Sequence, residues 1–362
     1  MKISCLTRYG DLGASSRVRC AQYVGPLASL VPGLQFERQP LLNDHYLRRK
    51  YRGASVLADT VRGFARRACW LAFKPAGDIR WVEKELWPYV PAWLERLVLR
   101  RRPYVLDLDD AIFHNYDRHR LALVRRLYGR KIDRLMAGAT LVTAGNEYLA
   151  ERARAAHAMR VEILPTVIDL DHYRLADIAS RRAAGDGAIT IGWIGSPATQ
   201  HYLQLLAEPL GRLAREHRIR LLVIGGRDVR LPGVDVEEVR WTEETEVASI
   251  SRIDIGIMPL RNSPWEQGKC GYKLIQYMAC GIPVVGSPIA VNKTIVTDGL
   301  NGFLAADDDA WFTALKRLAT DAALRAEMGR EGRRRVEERY CIQHTAPMLA
   351  LWLEQTKDRK GL

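Results

Sequence analysis

Three carboxylates close a short apolar run in Tyr104-Val-Leu-Asp107-Leu-Asp109-Asp110-Ala-Ile-Phe-His114. An apolar run of this length predicts a buried strand, and the carboxyl ends of strands are where open α/β sheets bind ligands. Asp107, Asp109 and Asp110 are therefore candidates to contact a ligand at that strand end. Asp107 and Asp109, two positions apart on a strand, share a face, so the same triplet also admits a divalent-ion reading.

A second constellation lies in Gly268-Lys269-Cys-Gly271-Tyr272-Lys273-Leu-Ile-Gln276-Tyr-Met-Ala-Cys-Gly281. Two glycines and two lysines precede a helix that Gly281 ends as its C′ residue, and Lys269 and Lys273 are spaced as one helical turn. Such a turn suits a diphosphate. In Ile191-Gly-Trp-Ile-Gly195-Ser196-Pro197, a strand ends in glycine and a helix is expected to open through Ser196 as cap and Pro197 as first residue. A plain strand-to-helix connection reads the same residues equally well. The first loop, Arg8-Tyr-Gly10-Asp-Leu-Gly13-Ala-Ser-Ser-Arg17-Val-Arg19, offers glycines for close backbone approach, arginines for charge, and Ser15 or Ser16 as a cap. An ordinary turn with surface arginines is the alternative there.

The elements that must position these residues alternate short apolar runs with stretches of helical period, the pattern of parallel sheets covered by helices. Strands are expected at Lys2–Leu6, Ile79–Val82, Tyr104–Leu108, Thr140–Thr143 and Val161–Leu164, with a helix over Glu147–His157. The pattern restarts with Ile189–Ile194, Arg220–Ile224, Val236–Arg240, Asp254–Met258 and Pro283–Gly286. The chain of 362 residues thus divides into two α/β domains, 1–168 and 169–340, with a C-terminal helix in 341–362 able to pack back on the first. The crossing lies near Pro165–Asp169 or in the polar stretch 180–187. Residues 310–338 read as one charged helix and Ile342–Gln355 as the last.

Hydrophobic residues at 48% and charged residues at 27% are enough for a packed core and exclude a disordered or collagen-like chain. The net charge of +13 is uneven, with 29 basic and 18 acidic residues in 1–172, so that half points to an anionic partner. Leu57, Val61, Phe64, Ala68 and Leu71 recur at helical spacing beside Arg62, Arg66, Arg67 and Lys74, followed by Trp81, Trp87 and Trp93. That is the pattern of a helix lying in a membrane surface, and equally of a core helix. The six cysteines form no CxxC and read as buried thiols in a reducing compartment. Only a few apolar residues separate Lys2 from Arg8, too few for a signal-peptide core, and no run of 18 apolar residues occurs. A cytoplasmic protein, peripheral on the inner face of a plasma membrane, is expected.

The segments Leu274-Ile-Gln-Tyr-Met-Ala-Cys-Gly-Ile-Pro-Val-Val285, Ile295-Val-Thr-Asp-Gly-Leu-Asn-Gly-Phe-Leu304, Asp254-Ile-Gly-Ile-Met-Pro-Leu260 and Leu164-Pro-Thr-Val-Ile-Asp169 resemble the family 4 retaining glycosyltransferases. That resemblance covers nearly all of the second domain and, loosely, the first. It implies the GT-B fold, two Rossmann-like α/β/α domains facing across a cleft, with the acceptor on the first and the nucleotide-sugar donor on the second. The family carries two glutamates eight positions apart where this chain has Gly268 and Gln276. Gln276 still offers a donor and an acceptor to ribose hydroxyls, and Glu266 is the nearest substitute for the first glutamate. The family's phosphate-binding arginine is replaced by Ser196 and its lysine is missing, with His201 nearby, so phosphate neutralisation falls on Lys269 and Lys273.

Aligned with the family, Asp109 stands at a sugar-contacting position often held by histidine, and Asp110 falls on the family's aspartate. The donor set implied is Gly13, Arg17, Gly195, Ser196, Glu266, Lys269, Gly271, Tyr272, Lys273 and Gln276. No metal and no cofactor beyond the nucleotide sugar are implied.

The function expected is transfer of a hexosyl or deoxyhexosyl unit to a lipid-linked saccharide in surface polysaccharide assembly, such as lipopolysaccharide or capsule. The competing reading is a catalytically silent GT-B protein that binds a nucleotide sugar or a partner, motivated by Gln276 and the missing arginine and lysine. A nicotinamide dehydrogenase is excluded because no Gly-x-Gly-x-x-Gly follows the first strand. Nucleic-acid binding rests on charge alone, without a motif, and is not expected.

Overall fold

A computed structural model describes residues 1–74, 77–173 and 187–358. It comprises two compact units. Unit 1 is Met1–Thr166 with Gln267–Cys270 and Thr345–Leu362, and unit 2 is Val167–Glu266 with Gly271–His344. The first crossing falls at 166/167, beside the Pro165–Asp169 expectation. Of the alternative boundary at 180–187, only Gly187 lies among the described residues.

Unit 1 holds six parallel strands in the order β2-β1-β3-β4-β5-β6. They are β1 (Lys2–Leu6), β2 (Gln35–Arg38), β3 (Ile79–Glu83), β4 (Tyr104–Leu108), β5 (Leu141–Ala144) and β6 (Val161–Ile163). The central strands β3, β4 and β5 are buried throughout; β4 and β5 are mostly apolar accordingly, while β3 also buries Arg80 and Glu83. The edge strand β2 was not anticipated: Gln-Phe-Glu-Arg is only partly buried and carries no apolar run. Ser15 and Ser16 do not cap the first helix, Ala14–Arg19; Gly13 occupies the cap position without a side-chain bond. Ser16 is instead buried, accepting from the Tyr9 amide and donating to Glu83.

Unit 2 repeats the architecture in the order β12-β11-β10-β7-β8-β9, again all parallel. Its strands are β7 (Ile189–Ile194), β8 (Ile219–Ile224), β9 (Asp235–Val239), β10 (Ile255–Met258), β11 (Val284–Gly286) and β12 (Gly302–Leu304). The three-residue edge strand β12 is too short to register as a run. The single charged helix expected over 310–338 is two, Asp308–Thr320 and Ala322–Arg339, because the Asp321 side chain caps the second by accepting from the Leu324 amide. Helix Ile342–Asp358 begins in unit 2 and continues with unit 1, where Thr345 hydrogen-bonds Tyr23 at 2.8 Å.

Two other expectations are corrected. Cys5 and Cys20 are bonded as a disulfide, since β1 and the end of the first helix place both side chains in one buried layer fifteen positions apart in sequence. Cys270, Cys280 and Cys341 are buried free thiols, and Cys69 is exposed.

The helix Leu57–Phe73 turns Gly63, Arg67 and Leu71 inward, so Leu57 and Val61 do not share a buried face with Leu71. Leu57, Val61 and Phe73 are 72%, 60% and 84% exposed. Arg67 is fully buried and donates to the carbonyls of Thr7, Gln39 and Leu86, and burial pulls its pKa down to about 9. A Cβ on Gly63 would lie 2.3 Å from the Leu41 carbonyl oxygen, which belongs to backbone and cannot swing away. Gly63→Ala is therefore expected to destabilise unit 1 by about 1–3 kcal/mol, as overpacking does. A melting temperature equal to the parent's would contradict this close approach.

Candidate functional site

In unit 1 the carboxylates at the end of β4 have separate duties. Asp107 is fully buried and accepts from Arg19 Nε at 2.9 Å, Arg19 Nη2 at 2.6 Å and Thr143 Oγ1 at 2.6 Å. With both oxygens engaged, Asp107 is a structural anchor, and the Asp107-Leu-Asp109 triplet does not present two available carboxylates to an ion. Asp109 and Asp110, just beyond the strand, face two lysines instead. Lys84 Nζ lies 3.0 Å from Asp109 Oδ1, 3.8 Å from Asp110 Oδ2 and 3.9 Å from Glu83 Oε1, and donates to Ser15 Oγ at 3.1 Å. Lys269 Nζ donates to Asp110 Oδ1 at 2.8 Å.

Sequence reading missed Lys84 and Glu83, and took Ser15, which meets Lys84, for a helix cap. The available signal was that Glu83 ends and Lys84 follows an apolar-containing strand, β3, which the structure pairs with β4. Lys84 adopts φ 69°, a left-handed conformation that a lysine takes only when its surroundings impose it. Burial works against the Asp109 carboxylate, but Lys84 and then Arg19 overcome it and bring its pKa down to about 2. Burial also works against the Lys84 ammonium, and Asp109, Asp110 and Glu83 reverse that and raise it above its ordinary value. The result is an ionised Asp109 carboxylate beside Asp110, both held by lysines and able to accept hydrogen bonds from hydroxyl groups.

The segment 267–270 belongs to this unit for a visible reason. Asn146, which caps helix Glu147–Ala155, donates from Nδ2 to the carbonyls of Gln267 at 3.1 Å and Lys269 at 2.9 Å. Cys270 Sγ donates to the Asp109 carbonyl at 3.1 Å. A Cβ at Gly268 would stand 2.5 Å from the Ala111 amide nitrogen, so this position has no room for the glutamate of related sequences. Gly13, in the first loop, is required by its neighbour Tyr9, whose Cβ would lie 2.4 Å from an added Cβ. Arg17 donates from Nη1 to the Asp11 carbonyl at 3.2 Å.

In unit 2 the expected helix start at Ser196-Pro197 is a turn. The Ser196 carbonyl accepts from the Thr199 amide, and helical structure begins only at Gln200 as a 3-10 segment, Gln200–Leu206. Gly195 is needed because Trp193 Cη2 would sit 2.5 Å from its Cβ. The helix Tyr272–Ala279 starts from Gly271 at φ 67° and ends before Gly281 at φ 63°, the C′ glycine read from sequence.

Lys269 therefore precedes this helix, and the two lysines are not stacked on one face. Lys273 Nζ lies 5.5 Å from the centre of the Trp193 ring, beside Gly195. Glu266 accepts from Tyr202 and Ser263 hydroxyls, and His201 packs on Tyr202 with ring centres 4.1 Å apart. Gln276 is 2% exposed and donates from Nε2 to the Tyr173 hydroxyl at 3.3 Å. Unit 1 thus brings together Asp109, Asp110 and Lys269, and unit 2 brings together Gly195 and Lys273.

Over 98% of both chains, the structure matches sucrose-phosphate synthase from Thermosynechococcus elongatus with a TM-score of 0.68 at 16% identity. It matches Anabaena Alr3699/HepE in complex with UDP with a TM-score of 0.67 at 15% identity, over 98% of this chain and 100% of that one. Two all-parallel α/β units with these likenesses define a protein of the GT-B fold, built from two Rossmann-like domains.

Residues 188–321 match the family model described as Glycosyl transferases group 1. A D-inositol 3-phosphate glycosyltransferase of Stackebrandtia nassauensis is 27% identical over 217 residues, covering 52% of this chain and 47% of that protein. A second from Kribbella flavida is 26% identical over 231 residues, 54% of each. The matches to these curated relatives span about half of their length. Over 188–321, within unit 2, the chain is thus similar to the group 1 glycosyltransferases.

Because its pKa falls from 3.8 to about 2 on folding, Asp109 contributes stability above about pH 4 that is lost as pH falls through 2. That contribution is about 2 kcal/mol by linkage. Asp109→Asn is expected to lower the melting temperature at pH 7 and to flatten its decline between pH 4 and 2. Parent and variant curves that run parallel through this window would contradict the assignment.

Proposed function

We propose that the chain is a retaining glycosyltransferase that moves a sugar from a nucleotide-diphosphate sugar to a lipid-linked saccharide in surface polysaccharide assembly. The observation that carries the transferase reading is the family match over 188–321, which falls on unit 2 with its lysine-bearing helix start at Gly271. Lys273, over the Trp193 ring that adjoins Gly195, neutralises the donor diphosphate together with the Gly195-Ser196 turn, and Gln276 meets the ribose. Tyr272 and Glu266 flank that helix start. Asp109 and Asp110 hold acceptor or sugar hydroxyls, with Gly13 and Arg17 on the adjoining loop. Lys269, ion-paired to Asp110, contributes charge from the acceptor unit.

No side chain in this scheme acts as an obligatory base. The leaving diphosphate accepts the acceptor proton as the sugar, with oxocarbenium character, passes to the incoming hydroxyl. Positioning and phosphate stabilisation then supply the rate enhancement. No divalent ion takes part, which agrees with the engagement of Asp107 by Arg19 and Thr143.

Lys273→Ala is expected to weaken UDP- or GDP-sugar binding ten-fold or more, from loss of a charge-assisted contact of about 1.5–3 kcal/mol. Asp110→Asn should cut turnover while leaving nucleotide affinity unchanged, and transfer should persist in excess EDTA. Activity abolished by EDTA and restored by manganese would overturn the metal-free scheme. Protein that binds nucleotide sugar but neither transfers nor hydrolyses it would favour the silent reading that Gln276 motivates.

The lipid-linked acceptor is supported by unit 1. Leu57, Val61 and Phe73 stand exposed on one helix with Arg62 and Lys74 beside them, on the half of the chain that carries most of the net charge. Among the described residues, no helix is long and apolar enough to cross a membrane. These exposed apolar and basic side chains support a peripheral position on the inner leaflet; the cysteines carry no part of it, since Cys5 and Cys20 are bonded.

The protein is expected to pellet with phosphatidylglycerol vesicles, to leave them as salt rises, and to ignore neutral vesicles. The combined change Leu57→Ser, Val61→Ser and Phe73→Ser should weaken that binding with nucleotide affinity intact. Arg67 is unsuitable for this test because it is buried. Equal partition onto both vesicle types, or none onto either, would reject the membrane reading.

A further inference from the structure

A chain of buried hydrogen bonds runs behind Gln276 in unit 2. Trp241 Nε1 donates to Glu246 Oε2 at 2.7 Å, the Tyr173 hydroxyl donates to Glu246 Oε1 at 2.7 Å, and Gln276 Nε2 donates to the Tyr173 oxygen at 3.3 Å. The three side chains beyond Gln276 come from a loop after β9, the helix Glu246–Ile250, and the stretch just after the crossing from unit 1. No sequence motif links them.

The order of donors in this chain is forced by chemistry. A carboxylate only accepts and an indole N–H only donates. A phenol has one proton, and here it is committed to Glu246; burial and Glu246 raise the Tyr173 pKa well above its ordinary value, so that proton stays on the oxygen. The Tyr173 oxygen can therefore only accept from its other neighbour, and an amide can satisfy it only by turning Nε2 toward it. Oε1 of Gln276 becomes the end turned away from the chain. A carboxylate at position 276, the residue usual in related sequences, would set lone pairs against the lone pairs of Tyr173.

We propose that Glu246, acting through Tyr173, fixes the direction of the Gln276 amide so that Oε1 is presented as an acceptor to a ribose hydroxyl of the donor nucleotide. This rests on the reading of unit 2 as the donor-binding unit. Tyr173 and Glu246 are positioning residues, and Gln276 alone touches the ligand. The glutamine keeps the acceptor function that a glutamate would have, because the fixed carboxylate lies at the far end of the chain.

Reversal of the chain tests this directly. Gln276→Glu alone should lower the melting temperature and abolish the preference for UDP or GDP over their 2′,3′-dideoxy counterparts, measured by calorimetry. Adding Glu246→Gln lets both bonds at Tyr173 run the other way while Trp241 still donates: the new amide accepts from Trp241 and donates to Tyr173, whose proton then goes to the new carboxylate. The double variant should regain both stability and ribose preference. Tyr173→Phe should weaken UDP or GDP binding about ten-fold and leave binding of the dideoxy nucleotides unchanged.

A Gln276→Glu variant as stable and as ribose-selective as the parent, or a double variant no better than the single, would overturn the proposal. If the single variant does not fold, folding of the double variant still supports the forced direction and its failure to fold opposes it. If the parent binds none of these nucleotides, the donor-site reading fails and the presentation to ribose fails with it, while the melting temperatures still decide the direction of the chain. If ribonucleotides bind but recovery of stability comes without recovery of ribose preference, only the presentation to ribose is overturned.

Discussion

The bidentate pair between Arg19 and Asp107 organises the carboxyl end of the first sheet. Both side chains are fully buried, so the ions survive only because every polar atom they expose to the interior is answered. Arg19 answers Asp107 and, from Nη1, the Leu164 carbonyl at 2.6 Å, while Thr143 completes the carboxylate. One guanidinium thereby joins the helix after β1 to β4 and to the segment following β6, and its acceptor joins β5. Losing one partner of such a pair typically costs about 3–5 kcal/mol, because the other is left charged and unpaired.

With that end of the sheet locked, the next residues out hold charge against lysines brought from elsewhere in the unit. Asp109 and Asp110 follow Asp107 directly, and their counter-ions come from β3 and from the 267–270 segment. Lys84 reaches them through a left-handed backbone, which the buried ions around it over-determine. Gly268 lets the 267–270 segment press against Ala111, so the same close approach that delivers Lys269 removes the side chain that related sequences carry there. A change at one motif position and a gain at another are thus one packing event.

The second unit solves a comparable problem with neutral groups and a single carboxylate. Gln276 lies within a helix whose face toward β10 is apolar, and its amide is tolerated because a phenol and a buried glutamate complete the chain behind it. Lys273, one residue on from Tyr272, lies against the indole of Trp193 at the end of β7. The two candidate donor-binding side chains of this helix are therefore held by partners distant in sequence.

The architecture was largely legible from the residues alone. Continuous apolar runs such as Tyr104–Leu108 and Ile189–Ile194 can be buried only as central strands of a covered parallel sheet, and Gly281 can only end a helix where it does. The edge strands β2 and β12 were not legible, because an edge needs neither length nor hydrophobicity on both faces. Asp109 and Asp110 were legible as candidates because a carboxylate after a buried strand is locally conspicuous. Lys84, Arg19's true role, the Cys5–Cys20 bond, and the chain from Trp241 to Gln276 were decided only by tertiary structure. Each depends on which side chain from another strand or loop arrives opposite, and burial makes that partner decisive: the energy of a charge or an amide in the interior is set by what faces it, which local sequence does not encode.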